Sequence, residues 1–409
     1  MTKPDVLILA DRQDAPFLDT QRRSEHWNVH WKIIDYQRWR ESIGEIRELM
    51  DRYNIGFVMY SRNDQVANRN GIGAITKTLS MGYSSFSGID DGGGRIDQMK
   101  ACYDDFMACD CLLDYAGGPV VPASGGNAGG TYSLIFDTEQ LGGVRYGLPR
   151  ILELLNKYGI RATFFITNLV KKVYPDVLKI IVSQGHEVGL HGLRHEYLSG
   201  LRREEQQHLL KNMMEDFNIE INGANFVGRM DETTVRAMID NRLNYFLYPS
   251  RASFRFLSYR PVSGIPSLIR LPEGTIRALP ISLETYSAPW FSIRNMIDSA
   301  ISESRKCRFP HISILCHCFR DGNLKHTGVT EKLLKYLTEK RLQPVVLGEL
   351  VNKLEDGEDI SIETEELKRF ISGDRGRTRL PRAWRDLSGM VIENPLMVYR
   401  FFRGNRGTF

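Results

Sequence analysis

Two short runs carry side chains that could bind a metal and move protons. Tyr132–Glu139 (YSLIFDTE) is apolar until it ends in Asp137 and Glu139, and His186–His195 (HEVGLHGLRH) ends in His191 and His195. Two imidazoles and a carboxylate can hold a divalent ion, which leaves the second carboxylate for proton chemistry. Asp137 and Glu139 stand at i,i+2, on one face of an extended strand. His191 and His195 stand at i,i+4, which aligns two imidazoles if a helical turn begins at His191. Either pair alone is common on a solvated surface. Both pairs at the ends of neighbouring strands point to a metal site. His317 closes a third apolar run, His311–His317, as a core histidine or as a proton donor facing the metal. Cys316 and Cys318 flank it; strand alternation turns both away, so they read as buried thiols. Arg229 ends a further strand candidate. It either orients a catalytic carboxylate through a bidentate pair or solvates the rim. His186 begins its strand, at the opposite end from His191, and reads as structural.

The surrounding pattern must bring these ends together. Apolar strands alternate with helical periodicity: a helix over Gly147–Tyr158, a strand over Arg161–Ile166, a helix over Pro175–Gln184 and a strand over His186–His191. Further on come a helix over Glu204–Phe217, a strand over Asn225–Arg229 and a helix over Glu232–Arg242. Asn244–Tyr248, Leu268–Pro272, His311–His317 and Pro344–Leu347 read as strands, and Ser292–Arg305 and Val329–Lys340 as helices. This order predicts parallel strands whose C-terminal ends collect catalytic groups, in a (β/α)7-type barrel, closed or incomplete.

Residues 1–115 repeat the alternation on a smaller scale. Strands are expected at Asp5–Ala10, Trp31–Tyr36, Ile55–Tyr60 and Gly82–Ile89, with helices at Gln37–Tyr53 and Gln98–Cys109. The reading is a small α/β domain with a parallel sheet, for interaction, scaffolding or a nucleotide. It carries no phosphate-loop or dinucleotide fingerprint, and Asp90-Asp91 argue against an anion in the Asp90–Gly94 turn. Residues 116–130 (AGGPVVPASGGNAGG) read as a Gly/Pro-rich linker, 131–355 as the barrel, and 356–409 as a charged linker with a basic, aromatic tail.

The formal charge of +4 over 409 residues is too small to argue for nucleic acid. No apolar run is long enough to cross a bilayer. Val6–Ala10 is followed at once by Asp11 and Arg12, unlike a signal peptide, so the expected location is cytoplasmic. The six cysteines show neither disulfide nor zinc-ribbon spacing. Leu380–Phe409 interleaves five arginines, including Arg382, Arg400 and Arg403, with Trp384, Tyr399 and Phe401. It can lie on an anionic membrane or pack on the protein's own surface.

On these residues, Tyr132–Leu347 resembles the polysaccharide deacetylase domain (NodB homology, carbohydrate esterase family 4). The first motif is matched by Phe136-Asp137-Thr138-Glu139, the second by Gly185-His186-Glu187-Val188-Gly189-Leu190-His191 through His195, and the fifth by Leu315-Cys316-His317. Thr138 stands where the family has its second aspartate, so the resemblance makes Glu139 the carboxylate ligand. The D-x-E form resembles the branch of undecaprenyl-phosphate aminoarabinose deformylases. In place of the family's third motif stands Arg229-Met230-Asp231-Glu232, without its proline and aromatic; the fourth is placed near Leu279-Pro280-Ile281-Ser282.

The resemblance implies a metal-dependent hydrolase that removes an acetyl or formyl group from an N-acylated sugar of a polysaccharide or lipid-linked glycan. Glu139, His191 and His195 would hold Zn²⁺, or else Co, Ni, Fe or Mn. Asp137 would take the water proton, His317 would protonate the departing amine, and Arg229 would keep Asp137 ionised. Two other classes stand beside it. One is a catalytically silent member that binds carbohydrate or serves as a scaffold. The other is a 2-His-1-carboxylate iron oxygenase, against which the spare Asp137 and the α/β pattern count.

Overall fold

The computed structural model describes residues 3–36, 38–61, 75, 82–86, 94–122, 129–199, 201–227, 230–249, 253–255, 258–260, 266–285, 289–307 and 309–354. Arg229, the turns at Arg62–Asp64 and at Asp90–Gly93, part of the Gly/Pro-rich linker and the whole of 355–409 lie outside the described residues.

The first sheet contains β1 (Asp5–Asp11), β2 (Asn28–Ile34), β3 (Phe57–Tyr60) and β4 (Gly82–Ser85), all parallel, in the order β2-β1-β3-β4. Alternation along β1 divides its side chains between two cores. Leu7 and Leu9 meet Ile46 of the helix Ile43–Tyr53, while Val6, Ile8 and Ala10 face the helix Arg95–Ala108 through Met99, Tyr103 and Phe106.

The second sheet is built from β5 (Thr131–Thr138), β6 (Thr163–Ile166), β7 (Glu187–Leu190), β8 (Gly223–Ala224) and β9 (Tyr245–Pro249). A separate hairpin, β10 (Ser253–Arg255) with β11 (Ser258–Arg260), follows. The sheet resumes with β12 (Ser267–Leu271), β13 (Gly274–Ile281), β14 (Leu283–Glu284), β15 (His311–His317) and β16 (Gln343–Pro344). Its order is β12-β13-β9-β8-β7-β6-β5-β15-β14, with β16 against the start of β5. Ile135, Phe165, Leu247, Leu279 and Leu315, from five strands of that path, pack into one buried cluster. Side chains from β13 and β6 can meet there only if the sheet curls on itself. Among the described residues the pairing does not close into a ring, so the expected barrel is an open, curled sheet.

Several boundaries differ from the sequence-based expectation. The strand expected at Asn225–Arg229 is the two-residue β8, just upstream, because Asn225 turns its side chain into the site. The helix expected at Pro175–Gln184 is present but shorter, Val177–Ser183, and a further helix, Asn168–Val173, precedes it; Thr167 caps that one by accepting from the Val170 N–H. β13 was not anticipated and pairs antiparallel with β12. Pro344–Leu347 contributes only β16, and Leu347 already begins the helix Leu347–Lys353.

The two sheets share one continuous core, in which Phe86 and Phe106 belong with Phe136, Leu152 and Phe164. Polar ties reinforce it. Arg145 pairs with Asp105, and the Tyr174 hydroxyl donates to Asp105 Oδ2 at 3.1 Å. The Leu113 N–H reaches the Asp176 carboxylate at 3.0 Å, and Lys172 Nζ sits 4.1 Å above the Trp27 ring.

Candidate active site

Register puts the strand ends on one rim. Asp137 of β5 lies opposite His317 of β15 and Phe165 of β6; Ile166 lies opposite Leu190 of β7, and Leu190 opposite Ala224 of β8. Ile135 and Leu315 point into the curl of the sheet, so Asp137 and His317, two residues further along each strand, point into its mouth. Phe136 and Cys316 take the opposite face and join the outer core. Cys316 and Cys318 are buried free thiols, and Cys318 Sγ lies 3.2 Å from Thr138 Oγ1.

Asp137, Glu139, His191 and His195 are all buried, and His317 nearly so. Asn225 Nδ2 donates to Asp137 Oδ1 at 2.8 Å. Asp137 Oδ1 stands 3.8 Å from His191 Nδ1, and its Oδ2 stands 3.8 Å from His317 Nε2. His191 Nδ1 donates to the Asn225 carbonyl, and His195 Nδ1 donates to the Tyr83 carbonyl at 3.0 Å. Each ring therefore carries its proton on Nδ1 and keeps Nε2 as a lone-pair donor. The ring centroids are 4.9 Å apart. The His317 N–H donates to Asp321 Oδ2 at 2.8 Å, and His317 Nδ1 stands 3.9 Å from Glu284 Oε1.

The i,i+4 spacing of His191 and His195 is not a helical turn. Asn168 and Leu169 donate their N–H groups to the carbonyls of Gly192 and Leu193, at 3.1 and 2.9 Å. The Leu193 and Arg194 N–H groups are taken by the Glu196 carboxylate. With these groups bound elsewhere the segment folds as a bend. Gly192 has φ +97° and His195 φ +67°.

Burial governs the charge states. It pushes the Asp137 carboxyl up to about 8, opposed by the Asn225 hydrogen bond. Burial, and next the Asp137 charge, push Glu139 up to about 8. Burial lowers His191 to about 4 and both His195 and His317 to about 3. Metal-free, the rim holds neutral imidazoles and carboxyls that ionise reluctantly. Glu139 Oε2 and His191 Nε2 are buried without a hydrogen-bond partner. Among the described residues, however, no three His, Cys, Asp or Glu side chains are drawn into a ready ligand cluster.

Sequence reasoning missed Asn225, Tyr83 and Ser84. Asn225 was visible as a polar residue opening a strand candidate. Ser84 and Ser85 are small polar residues, fully buried in a short strand, and such positions usually have a dedicated partner.

Comparison with known proteins bears on the same residues. Residues 125–221 match the polysaccharide deacetylase family model. That span holds Asp137, Glu139, His191 and His195 and stops short of Asn225 and His317. A peptidoglycan deacetylase of Helicobacter pylori is 38% identical over 68 residues, 16% of this chain and 23% of that protein. A chitooligosaccharide deacetylase of Sinorhizobium fredii is 35% identical over 100 residues, 24% of this chain and 44% of that protein. The chain thus spans less than half the length of these curated relatives. A Mycobacterium smegmatis protein, provisionally named a polysaccharide deacetylase, superposes with a TM-score of 0.49 at 15% identity, over 59% of this chain and 96% of that one. No helix among the described residues is long and apolar enough to cross a membrane.

Proposed function

We propose that this chain is a metal-dependent amide hydrolase that deacylates an N-acylated sugar within a glycan. The observation that carries the reading is the rim itself. One residue, Asn225, ties a buried carboxylate through its side-chain amide and a buried imidazole through its backbone carbonyl, beside two buried donor atoms, Glu139 Oε2 and His191 Nε2, that nothing in the protein satisfies. Such atoms are costly to bury unless something binds them. The donor chemistry fits Zn²⁺ or a similar ion, with Glu139, His191 and His195 as its holders.

Bound there, the ion would polarise the acyl carbonyl and acidify a water. Asp137, steadied at Oδ1 by Asn225, accepts the water proton at Oδ2, which faces His317. His317, whose backbone is pinned by Asp321, turns Nε2 toward Asp137 Oδ2 and so stands where it can carry that proton on to the departing amine. Arg229 was expected to hold Asp137 ionised. It lies outside the described residues, and Asn225 occupies the Asp137 carboxylate. The curated relatives are named for peptidoglycan and chitooligosaccharide, which favours acetyl as the acyl group; formyl and a lipid-linked sugar rest only on the resemblance of Asp137-Thr138-Glu139 to the deformylase branch.

A silent, glycan-binding member is the second reading, favoured by the absence of a ready ligand cluster among the described residues. Elemental analysis separates the two. Wild type should carry about one divalent ion per chain, as a three-ligand catalytic site predicts, and His191→Ala/His195→Ala should carry none. Asp137→Asn should keep the ion and release acetate from chitooligosaccharides orders of magnitude more slowly. A wild type that takes up no ion, even from excess, would leave the silent reading.

A further inference from the structure

The residue that orients His195 does not come from the strands that carry the site. It comes from β4, the last strand of the N-terminal sheet. Three consecutive residues there touch the rim. The Tyr83 carbonyl accepts the His195 Nδ1 proton at 3.0 Å, and the Tyr83 ring meets the His195 ring edge-on at 5.7 Å between centroids. Ser84 Oγ donates to the Glu139 carbonyl at 2.6 Å. Gly82 lies so close to the His195–Glu196 peptide that a Cβ there would fall on the His195 carbonyl oxygen. β4 therefore holds both a candidate ligand imidazole and the backbone of the candidate ligand carboxylate.

We infer that the N-terminal sheet is a working part of the metal centre: Gly82, Tyr83 and Ser84 position His195 and Glu139 for the ion. The inference rests on the metal reading given above. Three observations support it. First, His195 has φ +67°, a backbone state that non-glycine residues hold only when their surroundings impose it, and the β4 contact is part of those surroundings. Second, a ligand histidine is tuned through the partner of its other nitrogen, and here that partner is a main-chain carbonyl, which fixes the Nδ1–H tautomer. Third, a positioning element must be rigid. The N-terminal sheet shares its core with the second sheet and is tied to it by Arg145–Asp105 and Leu113–Asp176. The N-terminal layer is thus neither a tethered scaffold nor a separate binding module at this point of contact.

The test uses the full chain. Gly82→Ala should displace the His195 peptide, and Ser84→Ala should release the Glu139 carbonyl with minimal disturbance. Gly56→Ala is the control, since a Cβ there meets nothing within 4 Å. Zn²⁺ affinity is measured against a competing chelator. The His195 tautomer is read on the metal-free chain from 15N-histidine NMR. Expected are a roughly 10–100-fold weaker Zn²⁺ affinity in Gly82→Ala, the usual size of an outer-shell effect, and a smaller loss in Ser84→Ala. The control should be unchanged, and His195 should lose its pure Nδ1–H form in Gly82→Ala. Wild-type affinity in both variants, with the tautomer unchanged, would overturn the inference. If wild type binds no Zn²⁺, the metal reading fails separately. The tautomer then still decides whether β4 sets His195.

Discussion

Replacing Asn225 by leucine is the most informative single change. The two side chains are close in size, so the buried position stays filled while the donor to Asp137 Oδ1 is lost. The backbone carbonyl that accepts from His191 remains, so ligand orientation should survive. A hydrogen bond to a charged group contributes about 1.5–3 kcal/mol. The donor favours the ionised form of Asp137, so its loss should raise that pKa by roughly one to two units, at about 1.36 kcal/mol per unit. The assay is acetate release from chitooligosaccharides as a function of pH, with metal content measured in parallel. The acidic limb of kcat/KM should move up by about that amount, costing roughly 10- to 100-fold at pH values below the limb, while metal content stays at the wild-type level. An acidic limb in the same place would refute the reasoning: either Asp137 is not the base or Asn225 does not govern it. A loss of metal would show instead that Asn225 acts mainly through His191.

Other outcomes follow from the same structure. In the metal-free chain Asp137 and Glu139 are held at about 8, above their unfolded values of 3.8 and 4.5, so the folded state keeps protons that the unfolded state has released. His191, His195 and His317 act in the opposite sense, but only below their unfolded value of 6.5. With chelator present, Tm should therefore fall between about pH 6.5 and pH 8. Zn²⁺ should remove that fall, and a chelated Tm that rises across the window would contradict the assigned burial. Leu279→Ala, in the core inside the curled sheet, should destabilise by about 2–5 kcal/mol in denaturant unfolding. Adding a Cβ at Gly189 drives it into the Phe165 ring, so Gly189→Ala should cost about 1–3 kcal/mol in the same assay. If the tail holds the protein on anionic vesicles, the full chain should float with them and a chain ending at Leu354 should stay behind; equal behaviour would discard that role.

What could be read from the sequence divides along physical lines. β15 was legible to the residue, because His311–His317 is apolar at Ile312 and from Ile314 to Cys316 and is closed by a polar side chain, close to the pattern of a buried parallel strand. The helix Leu148–Tyr158 was legible from Ile151, Leu152 and Leu155 on one face and Gly159 past its end, where φ is +63°. β8 and β16 were not, because two-residue strands have no periodicity of their own and exist only through their neighbours. The bend at His191–His195 was hidden for a similar reason. Its amides are claimed by Glu196 and its carbonyls by Asn168 and Leu169, contacts the i,i+4 spacing does not reveal. The candidate donors were visible by residue type. Their supports were not, because Asn225 is 88 residues from Asp137 and Tyr83 is 112 residues from His195.

The identity of the group holding Asp137 also bears on what the rim can bind. A guanidinium at that place would satisfy a buried carboxylate on its own and pull its pKa down. It would also place a positive charge beside the proposed metal ligands. Asn225 is neutral: it fixes one oxygen of Asp137 and leaves the charge unbalanced. The buried Arg320 bears on Asp321 and His317 instead. Two carboxyls near 8 and imidazoles held neutral are what burial does to both kinds of group. A cation that draws protons off Asp137 and Glu139 would bind more tightly as pH rises. The pH dependence of Zn²⁺ uptake is thus a second reading of the same electrostatics, and uptake that does not vary between about pH 6 and 8 would mean that the carboxyls are already ionised by some other partner.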